Sequence, residues 1–165
     1  MRNQEDWDIY YMSLAHMTAM MSRDTSTKTG CVIVNKHNRI VSVGYNDFPS
    51  GINDNIKERR DRSTKYLYTE HAERNCIYNT NINLINSKMY VTWYPCADCA
   101  RAIIQKQINE VIIHKEFNDA GANNIWNESN EAAKQMFEEA GTIVRFWSGK
   151  VMAINGLKNG NIIEL

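Results

Sequence analysis

Two short segments constrain this chain more than anything else in it. His71-Ala72-Glu73 supplies an imidazole and a carboxylate, and Pro95-Cys96-Ala97-Asp98-Cys99, further along, supplies two thiols. A neutral imidazole and two thiolates are good zinc ligands, and Cys96 and Cys99, at i and i+3 of a helix, project to the same side. For His71 to join them, the fold must bring two distant segments together. His71 and Glu73 are two residues apart and would diverge in mid-helix, so both belong in a first turn, with Thr69 as the expected cap. Pro95 is expected to start the second helix and put Cys96 at the positive end of its dipole. The site is therefore expected where two helix N-termini converge. Three protein ligands leave the fourth position of a zinc ion open, the arrangement of a catalytic ion. Such an ion, one per subunit, brings the pKa of water toward ~7. Glu73, not needed as a ligand, is then free to carry protons from water to a ring nitrogen and to a leaving amine, which is hydrolytic deamination.

Each of these residues has a plainer reading. A lone C-x-x-C serves as a redox pair in many cytosolic proteins, and Trp93-Tyr94-Pro95-Cys96 resembles a thioredoxin active site, but the His-Ala-Glu partner argues against it. A structural zinc would need Cys31 or Cys76 as fourth ligand, and both read better as small buried side chains. His16, His37 and His114 read as packed or solvated. Asn46 is either a turn residue or a substrate contact. The charged run at residues 57–62 is either a solvated loop or a set of arginines meeting a phosphate.

Helical periodicity covers residues 6–22, with Trp7, Tyr10, Tyr11, Leu14, Met17 and Met21 as the expected buried face. β-Branched runs at 31–35 and 40–45 predict a hairpin, followed by a long loop over 46–65. Beyond it the pattern predicts a helix over 70–80, a strand over 88–93, a helix over 97–107 and a strand over 110–114. A helix over 130–140 stopped by Gly141 and a strand over 142–147 complete it. Strands alternating with helices after a hairpin imply α/β architecture, a three-layer α/β/α sandwich on a mixed sheet of about five strands. At 165 residues the chain is expected to be one deaminase domain over 1–165, with 148–165 as a loosely packed tail. A chain of that size needs no metal in order to fold, so a metal here is expected to have a chemical role.

Lys plus Arg and Asp plus Glu each number 19, so the net charge is zero. A neutral protein is a poor tracker of duplex nucleic acid or of an anionic membrane, whereas a small phosphorylated substrate needs only a few cations. No apolar run reaches the roughly 20 residues of a membrane span, and the N-terminal residues carry no apolar signal core. The expectation is a cytoplasmic protein with reduced cysteines.

H-x-E with P-C-x-x-C is the signature of zinc nucleobase deaminases. With Ser26-Thr27-Lys28-Thr29-Gly30, Gly44-Tyr45-Asn46-Asp47-Phe48-Pro49, Thr92-Trp93-Tyr94 and Glu139-Ala140-Gly141, the chain resembles the deoxycytidylate (dCMP) deaminase family, phage and bacterial type, of the cytidine-deaminase-like fold. The resemblance implies His71, Cys96 and Cys99 as zinc ligands and Glu73 as proton shuttle. It implies that Asn46 holds the sugar 3′-hydroxyl, that the backbone N–H of Ala72 meets the pyrimidine O2, that Ser26 and Lys28 contact the phosphate, and that Trp93 and Phe117 line the pocket. It further implies dCMP converted to dUMP and ammonia, dCTP and dTTP as effectors with Mg2+ beside the nucleotide, and a homo-oligomer, hexameric in many members. The rivals are dCTP as substrate, a base in tRNA or single-stranded nucleic acid, and a non-catalytic zinc-stabilised interaction module.

Overall fold

The expected hairpin and β/α alternation build a five-stranded sheet of order β2-β1-β3-β4-β5. The computed structural model describes residues 2–120 and 126–153 and the backbone of 155–158 and 161–164. The elements are α1 (Gln4–Ala19), β1 (Gly30–Val34), β2 (Ile40–Tyr45), α2 (Ala72–Tyr78), β3 (Lys88–Val91), α3 (Ala97–Gln105), β4 (Glu110–His114), α4 (Lys115–Ala120), α5 (Asn127–Ala140) and β5 (Ile143–Trp147). β1 runs antiparallel to both β2 and β3, whereas β3, β4 and β5 are parallel. The sheet is mixed because a hairpin opens it and helical crossovers extend it.

Strand alternation divides the core into two layers. Cys31, Ile33, Met89, Val91, Val111 and Ile113 face α2, α3 and α5, where they meet Cys76, Ile103 and Phe137. Val32, Val34, Tyr90 and Ile112 face α1 and meet Tyr11, Met12 and Ala15. With helices on both faces, the three-layer sandwich is formed.

The face that α1 buries agrees with the expected one at Tyr11, Trp7 and Leu14 and differs at Tyr10, Met17 and Met21. Met17 is 50% and Met21 64% exposed, and the buried line runs through Asp8, Tyr11, Met12, Ala15 and Ala19. Contact distance decides this. A Cβ on Gly30 would stand 1.9 Å from the Ala15 carbonyl oxygen and 2.7 Å from the Ala19 nitrogen, so the helix lies directly on the strand through its small residues. Gly30→Ala is expected to cost roughly 3 kcal/mol or more, read from the urea midpoint, because helix and strand backbones must separate. Asp8 is buried on that face. Burial raises its carboxyl, but the Arg145 fork and the Tyr90 hydroxyl more than offset this and leave it below its ordinary value. Arg145 Nη1 and Nη2 donate to it at 2.8 and 3.0 Å, and Tyr90 donates at 2.8 Å.

Three further differences bear on the site. The 46–65 loop carries a 3-10 turn at Lys57–Arg60, with a second at Lys65–Leu67. α4 was not signalled, since Phe117 is the one large apolar residue in its Lys-Glu-Phe-Asn-Asp-Ala sequence. In the 148–165 segment, β6 (Asn155–Lys158) and β7 (Asn161–Glu164) pair antiparallel as a sheet of their own. The stretch before them is tied to α1 by the Met152 N–H donating to Ser13 Oγ. His114 Nε2 lies 3.1 Å from the Gly149 carbonyl, which can only accept, so in the neutral ring His114 Nδ1 accepts a hydrogen bond from His16 Nε2 at 2.8 Å. Both histidines are packed, and His16 is pushed down to about 4, mainly by burial and then by His114.

Candidate active site

The site lies where the carboxyl ends of β2 and β3 and the amino end of β1 meet the N-termini of α2 and α3. His71 is the N-cap of α2, with extended backbone, and its carbonyl accepts from Asn75 N–H at 2.9 Å. Thr69 is not the cap. Glu70 exchanges backbone hydrogen bonds with Asp47, which holds the chain extended up to His71, and the Thr69 N–H is spent on the Lys65 carbonyl. Cys96, rather than Pro95, bounds α3, again as an N-cap with extended backbone. Ser129 of α5 satisfies the free Ala97 N–H at 2.9 Å.

These caps bring three donors together. His71 Nδ1 is 3.5 Å from Cys96 Sγ and 3.5 Å from Cys99 Sγ, and the two sulfurs are 3.6 Å apart. Zinc bonds of about 2.0–2.1 Å to nitrogen and 2.3 Å to sulfur, set tetrahedrally, separate their donors by about 3.5–3.8 Å. The residues therefore fit a zinc ion, and among the described residues they form the one group of three metal-ligating side chains. Cys31 and Cys76 are buried elsewhere, with the Cys76 thiol 3.7 Å from the Cys31 carbonyl. Two sulfurs so close share a proton. Cys96 is drawn down to about 3, foremost by the hydrogen bond with Cys99 and then by His71, while that same contact and burial hold Cys99 well up.

Glu73 is 3% exposed, and burial pushes its carboxyl up from the ordinary value, with the His71 ring only partly offsetting this. It lines a cavity of about 440 Å³ together with His71, Cys96, Ala72, Trp93, Asn46 and Ser26. Ala72 is the first residue of α2, so its N–H has no partner within the helix. Asn46 is committed to the backbone on both sides, its Oδ1 accepting from Thr29 N–H at 2.7 Å and its Nδ2 donating to the Thr27 carbonyl at 3.0 Å. One N–H and one lone pair are left for a ligand.

Two expected contacts are not in this wall. Lys28 turns back to the Met20 carbonyl, with Nζ at 3.3 Å, and Phe117 stands behind Trp93, ring centroids 6.1 Å apart, against His16. The cations in the wall are Arg60, Arg62 and Lys65. Lys65 pairs with Asp24 at 2.8 Å and also donates to Ser26 Oγ, and Arg60 sits over the Phe48 ring near Asp47 and Asp54. Arg62 is exposed at the mouth. The charged run over 57–62 was the signal for these arginines, while Lys65 lay just beyond it. Trp126 and Tyr66 were not signalled. Both line the cavity, Trp126 edge-on to His71 and to Tyr66, with both centroid distances 5.7 Å.

Comparison with known proteins agrees with this geometry. Residues 5–115 match the model of the cytidine and deoxycytidylate deaminase zinc-binding region. The chain is 36% identical over 156 residues to the deoxycytidylate deaminase of Mus musculus, covering 90% of this chain and 84% of that one. It is 36% identical over 148 residues to that of Homo sapiens, covering 85% and 79%. In fold it is similar to the dCMP deaminase of cyanophage S-TIM5, solved with dCMP and dUMP, with TM-score 0.69 and 20% identity over 89% of this chain and all of that one. The matched region ends one residue after β4 and holds Glu73 and all three donors, His71, Cys96 and Cys99, so the chain belongs to the cytidine and deoxycytidylate deaminase zinc-binding family.

Proposed function

We propose that this chain hydrolyses dCMP to dUMP and ammonia, as a cytoplasmic enzyme of pyrimidine deoxynucleotide metabolism. The observation that carries the reading is the placement of Glu73, a buried acid, on the wall of a one-nucleotide cavity beside the His71–Cys96–Cys99 cluster. Zinc held by those three residues supplies a Lewis acid that makes water acidic enough to attack at neutral pH. Glu73 takes the proton of the attacking water and delivers it to ring nitrogen N3. As N3 takes that proton the water oxygen bonds to C4; Glu73 then carries the proton of the new C4 hydroxyl to the exocyclic nitrogen, and the C4–N bond breaks as the C4 carbonyl forms, releasing ammonia. The free Ala72 N–H suits the pyrimidine O2, and what remains of the Asn46 amide suits a sugar hydroxyl. Trp93 and Trp126 supply aromatic walls for the base, and Tyr66 backs Trp126.

The cations favour a monophosphate. Lys65 and Arg60 already face carboxylates, whereas Arg62 has no ion-pair partner among the described residues. Arg62→Ala is expected to raise KM for dCMP about 10- to 100-fold, the worth of one charge-assisted contact, with kcat within about twofold and no change for deoxycytidine. The reading itself is tested by absorbance assays on cytidine, deoxycytidine, dCMP, CMP, dCTP and a cytosine-containing oligonucleotide. The expected order puts dCMP first in kcat/KM, and preference for the oligonucleotide or inertness toward every nucleotide overturns it. The family also brings the expectation of dCTP and dTTP as effectors with Mg2+, which the same assay checks when each is added, and of a homo-oligomer, which sedimentation velocity checks.

A further inference from the structure

The side chain of Arg74 is linked to both halves of the donor cluster, to Cys99 directly and to His71 through Glu70. It leaves the first turns of α2, is 17% exposed, and turns its Nε toward Glu70 Oε1 at 2.5 Å, with Nη2 on the same oxygen. The remaining nitrogen, Nη1, is 3.7 Å from Cys99 Sγ and 3.8 Å from Asp98 Oδ2. Glu70 Oε1 also accepts the backbone N–H of His71 at 2.9 Å. One carboxylate thus fixes the backbone of one metal ligand and the rotation of the guanidinium that donates to another. An ordinary i,i+4 ion pair on a helix surface contributes little and would leave the fork free to rotate. Here Glu70 occupies one edge of the fork, and the N–H left over faces a fully buried sulfur.

We propose that Arg74 is a positioning residue of the metal centre: clamped by Glu70, it holds the Cys99 thiolate in place and draws charge from its sulfur. The inference rests on the reading of His71, Cys96 and Cys99 as the zinc site. A hydrogen bond donated to a thiolate lowers the electron density the sulfur offers a metal, and the planar fork can satisfy carboxylate and sulfur together, which an ammonium cannot. In solution, such outer contacts change metal affinity about tenfold or more.

The test uses the full chain with cobalt(II) in place of zinc, whose sulfur-to-metal charge-transfer band reports the electron density on the thiolates. Chelator competition on the zinc form is measured in parallel. Arg74→Met is expected to move the band to longer wavelength, as charge returns to the sulfur, and to weaken zinc retention about tenfold because Cys99 is no longer held in place, a loss that outweighs the stronger donation. Arg74→Lys, which keeps the charge and the pairing with Glu70, is expected to recover part of the zinc retention but not the band position. A band and a competition curve unchanged in Arg74→Met overturn the proposal. If Arg74→Met does not fold by circular dichroism, Arg74→Lys decides alone, and an unmoved band there overturns it as well. A wild-type chain that takes up cobalt without any thiolate band instead refutes the zinc-site reading, a failure visible before any variant is made.

Discussion

Glu73→Gln is expected to lower kcat for dCMP by at least about 10³-fold while the purified variant still carries one zinc per chain. A single positioned proton transfer contributes about 10²- to 10⁴-fold, and in the proposed mechanism Glu73 serves both the attacking water and the departing amine. Gln keeps the volume of the side chain and one acceptor oxygen but cannot take up a proton. Metal content should not follow activity, because the donors that converge are His71, Cys96 and Cys99, with Glu73 outside that group. Steady-state assay together with metal analysis checks both halves. Residual turnover above about 1% would remove Glu73 from the chemistry, and loss of zinc would make it a ligand.

Removing the metal is expected to abolish activity and leave the fold standing. Dialysis against a strong chelator should bring dCMP turnover below about 1%, with restoration by stoichiometric zinc, because water has no other route to hydroxide near neutrality. The far-ultraviolet circular dichroism spectrum should be unchanged. His71 and Cys96 sit at the caps of α2 and α3 and Cys99 in the first turn of α3, and both core layers are built from other residues, from Val32, Tyr90 and Ile112 on one side to Ile33, Val111 and Phe137 on the other. Collapse on chelation would instead make the ion structural. Zinc retention should also weaken as pH falls. The Cys99 thiol, held well above its ordinary value beside Cys96, must give up its proton when a cation binds, so each unit of lower pH costs about tenfold in apparent affinity per proton released. Competition with a chromogenic chelator at several pH values measures that slope.

Much of the architecture was legible because periodicity reports burial. The strand at Glu110–His114 and the Gly141 stop, with its φ of 71°, were read at their observed limits, and Cys31 and Ile33 alternate with Val32 and Val34 as a strand buried on both faces must. The face of α1 was legible only in part, at Trp7, Tyr11 and Leu14. Tyr10, Met17 and, just past the helix end, Met21 stand outward, because the closest approach to Gly30 is open only to Ala15 and Ala19. The position of the helix caps was not legible either, since the pairing of Glu70 with Asp47, far apart in the chain, sets where α2 can begin.

The same division holds in the site. The His71-Ala72-Glu73 and Cys96-Ala97-Asp98-Cys99 segments named the three donors that the structure brings together and the carboxylate proposed as proton carrier, because ligand chemistry depends on residue type and short spacing. The surroundings of that centre, by contrast, were decided by tertiary structure alone. Lys28 gave way to Lys65 and Arg62 at the mouth, Phe117 moved behind Trp93, Trp126 closed against His71, and Arg74 reached Cys99. Which long side chains meet over a cavity depends on how separate segments dock, and local sequence carries no record of that distance.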